Sequence, residues 1–158
     1  MSQLIYIETS IPSFYYETRT ATQFQAMREW TREWREVARL RDELVTAEPV
    51  LAELERSPEP KRAQALALLQ PLPLLDDVEE VDLLVAVYFK NKLMPRDAAG
   101  DARHLALATF HECAILATWN CRHIANANKQ EHIRQVNASL GYATPVLTTP
   151  FELLEQLP

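Results

Sequence analysis

"LVTAEPVLAELE", residues 44–55, decides the fold. Leu44-Val45-Thr46 is apolar or β-branched and reads as a short buried strand. Glu48-Pro49 follows at once, and proline suits the first turn of a helix, so the chain reads as helical through about Glu55. A buried strand that passes directly into a helix is the repeating unit of an α/β protein.

The same alternation extends in both directions. Residues 4–8 form a continuous apolar run ending in Glu8, a second buried strand. Residues 21–41 predict a long amphipathic helix, with Phe24, Met27, Trp30, Trp34, Val37 and Leu40 on three-four spacing. After the linker at 57–60, residues 61–70 predict a helix and 72–75 a strand. A helix over 78–93 follows, with Val81, Leu84, Val85, Tyr88 and Phe89 inward. Residues 95–113 predict a second long helix, 114–118 a strand, and 128–140 a helix closed by Gly141. A strand at 146–148 and a helix at 150–157 complete the chain. The expectation is an α/β three-layer sandwich in a single domain over residues 1–158, with a mainly parallel sheet of about five strands. In such folds ligands sit beyond the carboxyl ends of the strands.

Composition narrows the chemistry. The apolar fraction of 47% and charged fraction of 24% are ordinary for a globular protein. No apolar run approaches the roughly 20 residues that span a bilayer, and the start lacks the pattern of a secretory signal, so a cytoplasmic location is expected. Cys113 and Cys121 are too few for a disulfide framework, and with His104, His111 and His123 they show no recognised zinc spacing. The chain has two glycines, Gly100 and Gly141, which excludes the glycine-rich phosphate loops. The net charge of −6 argues against a broad basic surface that wraps nucleic acid. It is compatible with phosphate held through a metal ion, because such an ion requires acids.

Four oxygen donors could meet at the carboxyl edge of the sheet. Glu8 leaves the first strand there, and Asn120 follows the strand at 114–118. Glu53 shares a helical row with Pro49 and Val50, and Asp101 shares one with Leu105 and Ala108. Hard oxygen ligands suit Mg²⁺ or Mn²⁺ rather than zinc. Each residue also has a plain structural reading: a cap for Glu8, solvated or ion-paired acids for Glu53 and Asp101, and a turn for Asn120. His104, three residues after Asp101, reads first as a packed helix histidine.

Beyond their chemistry, these segments resemble the PIN-domain family, in particular its VapC-like toxins of type II toxin–antitoxin systems. "LIYIETSIPSFY" (4–15) resembles the family's opening strand, and "LVTAEPVLAELE" its second motif. "PRDAAGDARHLALATFHECAILATWNCRHIANA" (95–127) is similar to the third motif, and "VLTTPFELLE" (146–155) to the closing strand and helix. The resemblance implies a Mg²⁺- or Mn²⁺-dependent endoribonuclease with its acidic site at Glu8, Glu53 and Asp101. Asn120 stands where a fourth acid often does. Thr9 or Ser10 would support the metal, and Asp97 competes with Asp101. Arg122 and His123 could meet substrate phosphate. Two departures stand out: Glu8 replaces the usual Asp, and neutral Asn120 replaces an acid, which implies weaker metal binding or reduced activity.

The resemblance also implies partners: RNA as substrate, a small antitoxin protein, and a second copy in a homodimer. The alternative is a catalytically weak module that binds an antitoxin or dimerises. Phe14, Tyr15, Tyr16, Trp30 and Trp34 would then mark a docking groove beside the first helices. The arginines between Arg28 and Arg41 are interleaved with acids, so this face is not a net-basic track for RNA.

Overall fold

Short continuous apolar runs do become parallel strands, buried at the centre of the sheet and partly exposed at its edges. The computed structural model describes residues 2–156. Its order is β1 (Leu4–Ile7), α1 (Ser10–Tyr15), α2 (Thr22–Arg41), β2 (Glu43–Ala47), α3 (Glu48–Leu54), α4 (Lys61–Leu69) and β3 (Leu74–Leu75). Then come α5 (Glu79–Lys90), a 3-10 turn (Arg96–Ala98), α6 (Ala99–Phe110), β4 (Ile115–Ala117), α7 (Ala127–Ser139), β5 (Val146–Thr148) and α8 (Pro150–Glu155). Position 157, assigned above to the last helix, lies outside the described residues. Among the described residues no helix is long and apolar enough to cross a membrane.

The five strands lie in the order β3-β2-β1-β4-β5, and every pairing is parallel. Successive side chains of β1 point to opposite faces, yet Ile5, Tyr6 and Ile7 are all buried. Helices therefore cover both faces of the central strand, giving the three-layer sandwich. From β1 the chain builds outward through β2 and β3, then returns to place β4 on the other side of β1. The carboxyl ends of β1 and β4 thus flank the topological switch point, where open α/β sheets bind ligands. Residue 8 leaves the sheet here, its N–H donating to the Ala117 carbonyl at 3.3 Å.

Several boundaries differ from the sequence reading. The stretch after β1, which the sequence reading leaves without an element before residue 21, turns into α1. Pro12 sits in the first helical turn, where its missing N–H has no partner to lose. The helix over 95–113 is divided at the 3-10 turn, closed by the Ala98 N–H donating to the Pro95 carbonyl at 2.9 Å.

In α2 the buried residues are Thr31, Trp34 and Ala38, while Val37 is 38% exposed and Leu40 77% exposed. The core thus takes Trp34 from the expected stripe, with small Thr31 and Ala38 beside it, and leaves out Val37 and Leu40. Trp34 is fully buried, and Trp30 packs on Trp119 and Phe151 at ring distances of 6.3 and 4.5 Å. Trp34 is therefore a core residue, while Trp30 stays half-buried among aromatic neighbours.

Helix ends follow known closures. Gly141 takes φ 85 after α7, with its N–H bonded to the Ala138 carbonyl and that of Tyr142 to Asn137. After α5 the same closure occurs with Lys92 at φ 56, where a lysine costs about 1 kcal/mol over glycine. Pro71 and Pro73 precede the two-residue edge strand β3, and Pro145 precedes the opposite edge, β5.

Candidate active site

Tyr6 and Glu8 are two residues apart and so face the same side of the sheet. Glu8 is almost fully buried at the strand end. Its Oε1 accepts three hydrogen bonds: from the Ser10 N–H at 3.0 Å, the Ser10 hydroxyl at 2.5 Å and the Thr118 hydroxyl at 2.6 Å. Each hydroxyl spends its proton on Glu8 and accepts a backbone N–H in return. Trp119 donates to Ser10 Oγ at 2.8 Å, and Asn120 to Thr118 Oγ1 at 2.9 Å. Among the described residues Oε2 accepts no hydrogen bond. The carboxylate is thus fixed through one oxygen and free at the other.

Glu53, on the outer turn of α3, is 31% exposed. Its Oε1 is hydrogen-bonded to Nε2 of His104. His104 is fully buried in α6, and its Nδ1 lies 2.8 Å from the Tyr6 hydroxyl. Burial alone would raise the Glu53 carboxyl, but the His104 bond and charge bring it below its ordinary value. Burial alone would lower the His104 pKa, but the Glu53 bond and the charges of Glu8, Glu53 and Asp101 raise it. Burial, with the charges of Glu8 and Glu53, lifts the Tyr6 phenol well above its usual range, so it keeps its proton.

Asp101 lies in the first turn of α6 and is half-buried. With Glu53, Asp97, Arg56 and Gly100 it lines a cavity of about 490 Å³. Asp97, the competitor for Asp101, faces the same space. A Cβ on Gly100 would lie 3.5 Å from Glu53 Oε1, so the carboxylate rests against the start of α6, whose dipole favours a negative charge.

The remaining candidates are placed differently. Asn120 builds its own turn: its Oδ1 accepts from the His123 N–H at 3.0 Å and its carbonyl from Ala125 at 2.8 Å. It touches the acidic site only through the Thr118 hydroxyl. Arg122 is exposed, and His123 Nδ1 lies 3.2 Å from Lys129 Nζ. Thr9 Oγ1 is buried with no hydrogen-bond partner, yet its hydroxyl lies near enough to Glu53 to favour the charged carboxylate. Such an unsatisfied hydroxyl beside a carboxylate is what a bound ion or its water would engage.

The donors are hard oxygens, the chemistry that Mg²⁺ or Mn²⁺ requires. Among the described residues no group of three or more His, Cys, Asp or Glu side chains is arranged to hold a metal. Mg²⁺ commonly binds through one or two carboxylates plus waters and substrate phosphate, so Glu53 and Asp101, which share the cavity, fit such a site, whereas Glu8 and Asn120 are not among its lining residues. Residue spacing alone did not reveal Tyr6 or Thr118. The signal for Tyr6 was its period-two relation to Glu8, and for Thr118 its place at the end of the neighbouring strand.

Thr118→Val keeps the shape and removes the hydroxyl that joins Glu8 to the Asn120 N–H. A loss of about 1–3 kcal/mol in urea unfolding is expected, because the buried Glu8 oxygen loses a donor. No family model matches the chain, and no curated protein matches it.

Proposed function

We propose that the chain is a Mg²⁺- or Mn²⁺-dependent endoribonuclease of the PIN-domain, VapC-like kind. One observation carries the reading: buried His104 is hydrogen-bonded both to Glu53, which shares a cavity with Asp101, and to Tyr6 of the strand that ends in Glu8 at the switch point. Acids gathered where α/β sheets bind ligands suit the hydrolysis of a phosphodiester. Glu8, through its free Oε2, Glu53 and Asp101 would hold the metal. When bound, the metal would lower the pKa of a water and offset charge on the phosphate. The chain's own work is positioning. Ser10 and Thr118 fix Glu8, His104 fixes Glu53, and Tyr6 fixes His104. Asn120 braces the turn behind Thr118.

The test is incubation of purified protein with structured RNA and Mn²⁺, beside a Glu8→Gln, Asp101→Asn double variant. Cleavage by wild type, its loss in EDTA and its loss in the variant are expected. Equal cleavage by both proteins, or no cleavage together with no calorimetric metal binding by wild type, overturns the reading.

A second reading, a partner-binding module such as an antitoxin's target, rests on the apolar Val37 and Leu40 left exposed on α2. It expects α2 surface variants to alter association while metal binding stays absent.

A further inference from the structure

The largest cavity described, about 640 Å³, opens beside the acidic one and has the opposite charge. Lys90, Lys92, Arg96, Lys129 and His132 line it, and no acid does. In a chain of net charge −6 such a lining is out of keeping with the rest of the surface. Most arginines are paired with acids, whereas none of these four cations is, among the described residues. Lys129 is anchored without being neutralised, its Nζ donating to the Leu93 carbonyl at 3.2 Å. Lys92 holds its place in the left-handed backbone conformation that favours glycine.

The two cavities adjoin along the chain. Met94, Pro95 and Arg96 line the basic one, and Asp97 to Asp101 line the acidic one. Only the 3-10 turn, about 6 Å of rise, carries the backbone from one to the other. Arg56 also lines the acidic cavity, where its charge acts on Glu53 without forming an ion pair among the described residues. The Arg96 guanidinium sits 5.5 Å over the Phe89 ring, an aromatic and cationic pair on the wall of the cleft.

We propose that this cleft, between the end of α5 and the start of α7, holds the phosphate backbone of a single-stranded RNA next to the bond presented to the acids. The inference rests on the nuclease reading for its choice of polynucleotide, but binding and cleavage separate experimentally. Cations without acid partners match phosphates by charge, and such contacts release counterions, so affinity falls with salt in proportion to their number.

The experiment is fluorescence anisotropy of the intact protein with labelled single-stranded RNA in EDTA, where no metal supports cleavage. Lys90→Gln/Arg96→Gln is expected to weaken binding at least about tenfold and to reduce the slope of log affinity against log salt by about 1.4. Lys92→Asn, which tolerates the left-handed backbone, is a second variant expected to weaken binding in the same direction. Arg39→Gln, an equal loss of charge on α2, is expected to leave binding unchanged. Inorganic phosphate or a mononucleotide at equal phosphate concentration is expected not to displace the RNA. Unchanged affinity in both cleft variants, no RNA binding by wild type, or full displacement by inorganic phosphate overturns the proposal. RNA binding that depends on the cleft, in a protein that never cleaves, would retain the cleft and remove the nuclease.

Discussion

Glu53→Gln is expected to lower Mn²⁺-dependent RNA cleavage by about 100-fold or more, with a fall in melting temperature of only a few degrees from the lost charge beside His104. The amide keeps the length of the carboxylate and an oxygen that still accepts from His104, so the contact that orients it survives. What disappears is the negative charge facing the cavity shared with Asp101. Residues that merely support a metal ligand cost about 10–100-fold when removed, so a ligand itself should cost at least the upper end. Steady-state kcat/KM on a labelled RNA, measured with thermal unfolding of the same sample, checks both halves. Activity equal to wild type would take Glu53 out of the site. A large fall in melting temperature would make the activity loss uninformative, and Glu53→Asp would then replace it.

His104→Leu is expected to destabilise the metal-free protein by about 2–4 kcal/mol in denaturant unfolding. Leucine is close in volume, so a cavity contributes little. The buried Tyr6 hydroxyl loses its only partner among the described residues, at about 1–3 kcal/mol. Glu53 loses a charged hydrogen bond, discounted because the carboxylate is 31% exposed and screened by solvent. Adding Tyr6→Phe removes the orphaned hydroxyl, so the double variant should be more stable than His104→Leu alone. A double variant less stable than the single one would show that the Tyr6 hydroxyl is satisfied elsewhere.

The same pair predicts a pH dependence in EDTA. Glu53 is depressed below its ordinary 4.5, so its contribution is present above that pH and lost as pH falls through the depressed value. His104 is raised above its ordinary 6.5, so its contribution is complete below that pH and lost as pH rises through the raised value. The advantage of wild type over His104→Leu should therefore peak between 4.5 and 6.5 and shrink on both sides. An advantage that is flat across this range would mean that the pair does not carry opposite charges in the folded state.

Parallel strands announce themselves because both faces are buried, so Leu4–Ile7 and Glu43–Ala47 could be found from unbroken apolar runs. Which face a helix buries is a different matter. In α2 the expected stripe is buried at Trp34 and half-buried at Phe24, Met27 and Trp30, but Val37 and Leu40 are exposed while Thr31 and Ala38 are buried. Periodicity counts apolar residues and does not register that a small one admits a neighbouring helix. Helix α1 was hidden because Pro12 signals both a stop and a helix start. The end-of-strand position of Glu8 was legible, as was the helical setting of Glu53 and Asp101. The Tyr6–His104–Glu53 chain was not, because Tyr6 and His104 meet across 98 residues of sequence. The basic cleft escaped for the same reason. Its cations come from α5, the segment after it and α7, and no local window contains them together.

The prolines at the borders of the sheet limit how the molecule can associate. A free strand edge is a template onto which another chain can add a strand. On one side Pro71 and Pro73 leave a two-residue ladder, and on the other Pro145 stands directly before Val146. Proline offers no N–H to a newcomer, and two residues are too few to hold one in register. Strand-by-strand growth, whether toward a dimer or a fibril, is therefore disfavoured at both ends. A second copy or protein partner would then be met through side chains rather than by an added strand. The exposed Val37 and Leu40 of α2 and Leu83 of α5 are apolar handholds for such a contact.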